Sequence, residues 1–401
     1  MKILWVATKP PWPLIDGGRL AQWHTLSALA DAGAAITLVA PADRGIDPQI
    51  VVTKLHPICH AILVAHAPRS WLRTLVDATA QRAPVSIARH RITAVRLEVQ
   101  RLLARDAFDV VHAEQLQALA NCADARDAQM RSKVALVMRA QNVESDLWFA
   151  LAAHRGAGRA LLKHQARRLR EWEAAAVRRC DATIALTQSD AAQLETIAKA
   201  PGKIHCIRTP FPAEFPAAQL PALPGRPALV IFGSSGWAPN RDGVEWFVRD
   251  IWPAVATRLP DAMLHVYSGG AFASRARNIV MHAAPDDSAA AFAPGSILVV
   301  PLRIASGVRM KILEAWARGV AVVATPEAAE GLGATDRREL MIARNGFEFA
   351  SAIAALNDSG ETRDAMTSHA RALLRIQHDP MTIAARMLAL YRDAVTSRKA
   401  H

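Results

Sequence analysis

Residues 297–319, ILVVPLRIASGVRMKILEAWARG, decide how this chain is read. Ile297–Val300 is an apolar, β-branched run and predicts a buried strand. A short Ser/Gly loop follows, and then an amphipathic helix carrying Lys311 and Glu314. The start of such a helix offers free backbone N–H groups and the positive end of the helix dipole, a setting that suits phosphate. Glu314 lies further into the helix, where a carboxylate can accept hydrogen bonds from sugar hydroxyls beside those phosphates. A nucleotide sugar is the simplest ligand with both needs, although strand–Gly–helix units also occur as plain architecture.

Outward from that stretch, the same alternation fills the chain. Strands are expected at Ile3–Ala7, Ile36–Ala40, Ala61–Val64, Val110–Ala113, Val134–Met138 and Thr183–Leu186, with a helix at Leu20–Ala32. A proline-rich break, TPFPAEFPAAQLPALPGRP, covers Thr209–Pro227 and reads as an extended interdomain linker. A second series follows at Leu229–Gly233, Met263–Tyr267, Ile279–His282, Ile297–Val300 and Ala321–Ala324. Three helices close the chain, at about Ala350–Leu356, Glu361–Ile376 and Met381–Thr396. Strands separated by helices imply parallel sheets covered on both faces. The expectation is therefore an α/β chain of two doubly wound domains flanking a cleft, with ligands at the C-terminal strand ends. The domains are expected at 1–208 and 228–379, joined by the linker 209–227, with the helix at 380–397 returning to the first.

Composition sets limits on function. At 401 residues and 51% hydrophobic, the chain can bury two cores. Cys59, Cys122, Cys180 and Cys206 show no metal or redox spacing, as expected of reduced thiols in a cytoplasmic protein. The opening MKILWVATKPP has too short an apolar run for a signal peptide, and no stretch approaches a transmembrane span.

The net charge of +12 comes from two segments. Residues 66–105 hold eight Arg and two acids, and residues 155–179 hold eight Arg or Lys and two Glu. Both are helical in pattern: Ile92, Val95, Val99 and Leu102 share a face, as do Leu162, Ala166, Leu169 and Trp172. Two readings stand side by side. One is core-packed helices with solvated arginine faces; the other is a surface for anionic lipid or an anionic acceptor, which would make the protein peripheral on the inner face of the plasma membrane. Nucleic acid is not expected, because aromatics make up only 5% of the chain.

With these motifs in view, the chain resembles the GT-B glycosyltransferases of family 4, nearly end to end. The resemblance is carried by PPWPLIDGGRLAQWHTLSALADAG near the start, AQNVESDLW at 140–148, FGSSGWAPNRDGVEWF at 232–247 and PLRIASGVRMKILEAWARGVAVVATPEAAEGL at 301–332. It is similar to the subset that builds bacterial exopolysaccharides. The resemblance implies a retaining enzyme of two Rossmann-like domains that needs no metal or other cofactor. Its donor would be a UDP- or GDP-sugar, and its acceptor a glycan or lipid-linked glycan. A catalytically degenerate binding or scaffold protein, and a sugar-nucleotide epimerase, are the alternatives on the same architecture.

The site residues follow one by one. Gly17 and Gly18 permit close backbone approach to a ligand, and Arg19 begins the helix behind them; Asp16 either caps that helix or orients Arg19. Lys311 is the preferred cation for the donor phosphates, with Arg309, at the loop-to-helix junction, second; on one helix the two would point about 200° apart. Glu314 matches the second glutamate of the family's pair and would hold the donor ribose. The first glutamate falls at Ser306, beside Gly307, so charge is missing there. After the first strand of the second domain, Ser234, Ser235 and Gly236 would donate hydrogen bonds to the donor. Glu330, Gly331 and Leu332 match a donor-pocket loop.

Gln141 stands where the family has histidine and cannot titrate near neutrality. A front-face transfer requires no protein base there. Asn142 and Glu144 follow the motif, Glu144 either pairing with an arginine or receiving an acceptor hydroxyl. His112, in DVVHAE, is placed on the acceptor side or read as a structural histidine.

Overall fold

The structure is a computed structural model that describes residues 1–399 except 44, 68–69, 81, 123–133, 154–157, 216–220, 235, 269–276 and 284–287. The chain divides into two compact units. Unit 1 comprises Met1–Pro13, Ala21–Pro210 and Pro380–His401, and unit 2 comprises Leu14–Leu20 and Phe211–Asp379.

Unit 1 is built on a parallel sheet of β1 (Lys2–Val6), β2 (Ala35–Pro41), β3 (His60–Val64), β4 (Val110–Glu114), β5 (Ala135–Ala140), β6 (Ala182–Ala185) and β7 (Ile204–Cys206). Their spatial order is β3-β2-β1-β4-β5-β6-β7. Helices on both faces explain why these strands are apolar throughout rather than alternating. Successive residues feed opposite cores: Leu4 and Val6 join Val111 and Met138, whereas Ile3 and Trp5 join Val110 and Val137. Each such large side chain, withdrawn fully from water, adds about 1.5–3 kcal/mol. The C-terminal helix Pro380–Lys399 belongs to this unit, where Ile383, Met387 and Tyr391 enter the second core. This is the return to the first domain that the resemblance implied.

The two basic segments are helices packed on this unit. Thr93–Arg105 buries Val95, Val99 and Leu102 and leaves Arg101 and Arg105 exposed. Arg159–Arg179 buries Ala166 and Leu169 and holds Leu162 and Trp172 half-buried. Residues 68–69, 81 and 155–157 of these segments lie outside the described residues.

Unit 2 carries a second parallel sheet: β8 (Ala228–Phe232), β9 (Met263–Tyr267), β10 (Ile279–His282), β11 (Ile297–Val300), β12 (Ala321–Ala324) and β13 (Met341–Ile342). The order is β10-β9-β8-β11-β12-β13. The proline-rich stretch is partly docked on this unit. Phe211 is buried, its N–H donates to the His378 carbonyl at 2.8 Å, and its ring meets Phe215 edge-on. Residues 216–220 of that stretch lie outside the described residues. Among the described residues, no helix is long and apolar enough to cross a membrane.

Candidate functional site

In open parallel sheets, ligands bind beyond the C-terminal strand ends where the strand order reverses. In unit 2 that reversal falls between β8 and β11. Gly233 leaves β8, and the loop Pro301–Arg309 leaves β11 to start the helix Met310–Arg318.

Lys311 is on the first turn of that helix. Its Nζ donates to Asn240 Oδ1 at 3.0 Å, and Asn240 Nδ2 donates to the Ser234 carbonyl at 3.1 Å. A Cβ on Gly233 would sit 2.6 Å from Lys311 Nζ and 2.6 Å from Asn240 Nδ2, so only glycine leaves room for the ammonium. No carboxylate pairs with Lys311 among the described residues. Burial, together with the Arg309 guanidinium, lowers its pKa to about 7. A half-buried cation held by one neutral amide at a switch point is prepared for an anion.

Arg309 stands at the loop-to-helix junction, as expected. It is the residue before the helix, with φ −82° and ψ 85°, so the helical angle between it and Lys311 does not apply. Its guanidinium donates to the carbonyls of Ser306 and Gly307 and braces the loop from within. Gly307 takes φ +73°, a left-handed conformation that glycine adopts without strain.

Glu314 is buried between Leu313 and Ala315. Its Oε1 accepts from Ser288 Oγ and from Arg318 Nε, the latter at 3.0 Å. Arg318 in turn lies over the rings of Phe215 and Phe292. The carboxylate is therefore fixed in place by an internal partner.

Gly17 opens its helix against the same region: a Cβ there would lie 3.3 Å from Met310 Cβ. Gly18 is the second residue of that helix. Asp16 does both things expected of it, accepting from the Arg19 N–H at 3.0 Å and pairing with Arg19 Nε at 3.2 Å. Gly236 N–H donates to Ser234 Oγ at 3.2 Å, and Ser235 lies outside the described residues. Glu330 is exposed, Gly331 takes φ +79°, and Leu332 is fully buried. Leu332 therefore shapes its loop from beneath and presents no surface to a ligand.

In unit 1 the order reverses between β1 and β4, and a polar chain runs there. Thr8 Oγ1 donates to Gln115 Oε1 at 3.2 Å, Gln115 Nε2 donates to Gln141 Oε1 at 2.7 Å, and Gln141 Nε2 donates to Glu114 Oε1 at 2.5 Å. Burial opposes ionisation of Glu114, but Arg139, His112 and Gln141 hold its pKa below the usual carboxylate range. Arg139 Nε lies 3.3 Å from Glu114 Oε1, both side chains almost fully buried.

His112 sits inside the sheet, not on an acceptor surface. It is fully buried in β4, stacked on Trp5 at 3.7 Å. Its Nδ1 is 2.8 Å from the Tyr391 hydroxyl, and its Nε2 is 3.2 Å from Glu114 Oε2. Burial lowers its pKa, so the ring is neutral, accepting from Tyr391 and donating to Glu114. Asn142 is half-buried in the turn before the helix Glu144–Ala153. Glu144 bonds Gln117 rather than an arginine, and its N–H donates to Glu173 Oε1 at 2.6 Å. Among the described residues, no three His, Cys, Asp or Glu side chains gather as metal ligands.

Comparison with known proteins bears on this arrangement. Residues 22–215 match the family model described as Glycosyltransferase Family 4, and residues 226–359 match Glycosyl transferases group 1. The chain belongs to glycosyltransferase family 4. No curated protein matches its sequence. Solved structures give the fold as GT-B. One similar structure is sucrose-phosphate synthase from Thermosynechococcus elongatus, at TM-score 0.72 and 16% identity, with 99% of this chain and 100% of that one covered. Another is Anabaena HepE in complex with UDP-glucose, at TM-score 0.65 and 16% identity, covering 98% and 100%. A third is WaaG, a glycosyltransferase involved in lipopolysaccharide biosynthesis, at TM-score 0.61 and 15% identity, covering 98% and 99%.

Several residues that build this glycosyltransferase's crevices escaped the sequence reading: Asn240, Ser288, Arg318, Glu114, Gln115, Arg139 and Tyr391. Two left a signal. Glu314 and Arg318 have the i, i+4 spacing of a helical ion pair. Arg139 directly follows the apolar run VALVM, and an arginine buried there requires an acid. The others reach their partners only through tertiary folding.

Proposed function

We propose that this glycosyltransferase takes its sugar from a UDP- or GDP-sugar and transfers it, with retention and without a metal, to a glycan or lipid-linked glycan of a bacterial cell surface. The observation that carries the reading is Lys311, a half-buried cation of lowered pKa lodged against Gly233 at the β8/β11 reversal. The donor diphosphate would lie against Lys311 and the N–H groups beside Gly233 and Ser306, with the ribose toward Glu314. In the reaction, the bond between the anomeric carbon and the diphosphate oxygen breaks as the acceptor oxygen bonds to that carbon. The acceptor proton passes to the departing phosphate oxygen, so no side-chain base is needed and glutamine at position 141 is tolerated. Lys311 stabilises the charge that grows on the leaving group.

A second reading, a binding or scaffold protein, draws on Gln141, whose amide is held at both ends by Glu114 and Gln115. Incubation of the purified chain with UDP- and GDP-sugars in the presence of a chelator separates the two. Release of one nucleoside diphosphate, reduced in Lys311→Ala, supports transfer chemistry. No release from any donor by a folded protein supports the scaffold.

A further inference from the structure

The helix Trp71–Ala80 packs the wrong way round for a helix whose only task is to cover a core. Its buried positions are the small residues Thr74 and Ala78. Its large apolar side chains face outward: Trp71 is 69% exposed, Leu72 59%, Leu75 41% and Val76 66%. At 100° per residue, Trp71, Leu75, Thr79, Leu72, Val76 and Ala80 fill a continuous arc of about 180° without a charge. Contiguous apolar surface of this kind marks an interaction site.

The charges around the arc identify the occupant. Arg73 is exposed at its margin, Arg82 follows the helix, and Arg89 is exposed on the helix Val85–His90, which packs against this one. The helix carries a single acid, Asp77, outside the arc. A tryptophan-bearing apolar face about 15 Å long, bordered by arginines, is the pattern of a helix lying in the interface of an anionic bilayer. We propose that Trp71, Leu72, Leu75 and Val76 insert into an anionic lipid surface, with Arg73, Arg82 and Arg89 contacting its head groups. This surface belongs to unit 1 and rests on nothing in the reading of the donor site.

The test is co-sedimentation of the full chain with vesicles of phosphatidylcholine alone and of phosphatidylcholine mixed with phosphatidylglycerol. The protein is expected to sediment with the mixed vesicles, less so as salt rises. Trp71→Ser/Leu75→Ser is expected to bind them at least about tenfold more weakly, and Arg73→Gln/Arg89→Gln to lose much of the salt dependence. Val76→Ser replaces the first variant if that one lacks a cooperative thermal transition. Equal binding by wild type and the apolar variants overturns the proposal, as does absence of binding to mixed vesicles. It is also overturned by a lipid-free dimer that Trp71→Ser/Leu75→Ser dissociates, because a second copy then covers the helix.

Discussion

Lys311 Nζ rests 3.0 Å from Asn240 Oδ1 at the point where the unit 2 sheet reverses its order, with no room for a side chain on Gly233 beside it. One neutral amide holds a cation whose pKa is lowered to about 7. The arrangement leaves the ammonium short of the negative charge that a diphosphate would supply.

Asn240→Asp tests that idea by supplying the charge internally. A carboxylate in place of the amide would raise the lysine pKa and compete with phosphate for it. Nucleotide affinity is expected to fall about tenfold or more, measured by calorimetric titration. Gly233→Ala is expected to weaken affinity by a different route, displacing Lys311 and Asn240 together.

Binding should also be linked to protons. With its pKa near 7, Lys311 is mostly neutral at about pH 8 in the empty site, and an adjacent diphosphate raises that value. Nucleotide binding is therefore expected to take up as much as about one proton, read from calorimetry in buffers of different ionisation heat. Lys311→Met should abolish the uptake.

A second titration lies in unit 1. Burial raises the Glu173 pKa to about 7, against the opposing hydrogen bonds from Ser145 and the Glu144 N–H. A carboxyl with a raised folded-state pKa gives stability that is full below its unfolded value, near 4.5, and lost as pH rises through about 7. Across that window Glu173→Gln should gain on wild type by roughly 2–4 kcal/mol, followed by denaturant unfolding.

Arg139 and Glu114 form a buried pair, so removing one partner should cost more than replacing both. Arg139→Met is expected to destabilise by about 3–5 kcal/mol, with Glu114→Gln/Arg139→Met recovering part of the loss. Thermal unfolding of the two variants checks the order.

The fold was legible wherever apolar runs were long. Strands β9 to β12 begin and end where Met263–Tyr267, Ile279–His282, Ile297–Val300 and Ala321–Ala324 predict. Two strands left no such trace. Ile204–Cys206 is three half-buried residues and Met341–Ile342 only two, both at sheet edges where one neighbour suffices. The place of Lys311 and Glu314, on a helix that follows a strand and loop, was legible. Asn240 was not, because it lies 71 residues from Lys311 and meets it only when β8 and β11 pair. Arg309 was legible as a cation at the loop-to-helix junction but not as a brace, because its carbonyl partners are set by the turn of the loop itself. His112 is the middle residue of β4 rather than its end, and its burial against Trp5 and Tyr391 agrees with the structural one of the two readings, a choice made by tertiary packing.

The most direct measurement is the thermal shift of the purified chain with UDP, GDP, ADP and CMP in the absence of metal. The account predicts that UDP or GDP raises the transition temperature of wild type and that Lys311→Ala removes the shift while remaining folded. An unchanged shift in Lys311→Ala, or no shift with any nucleotide, would contradict it.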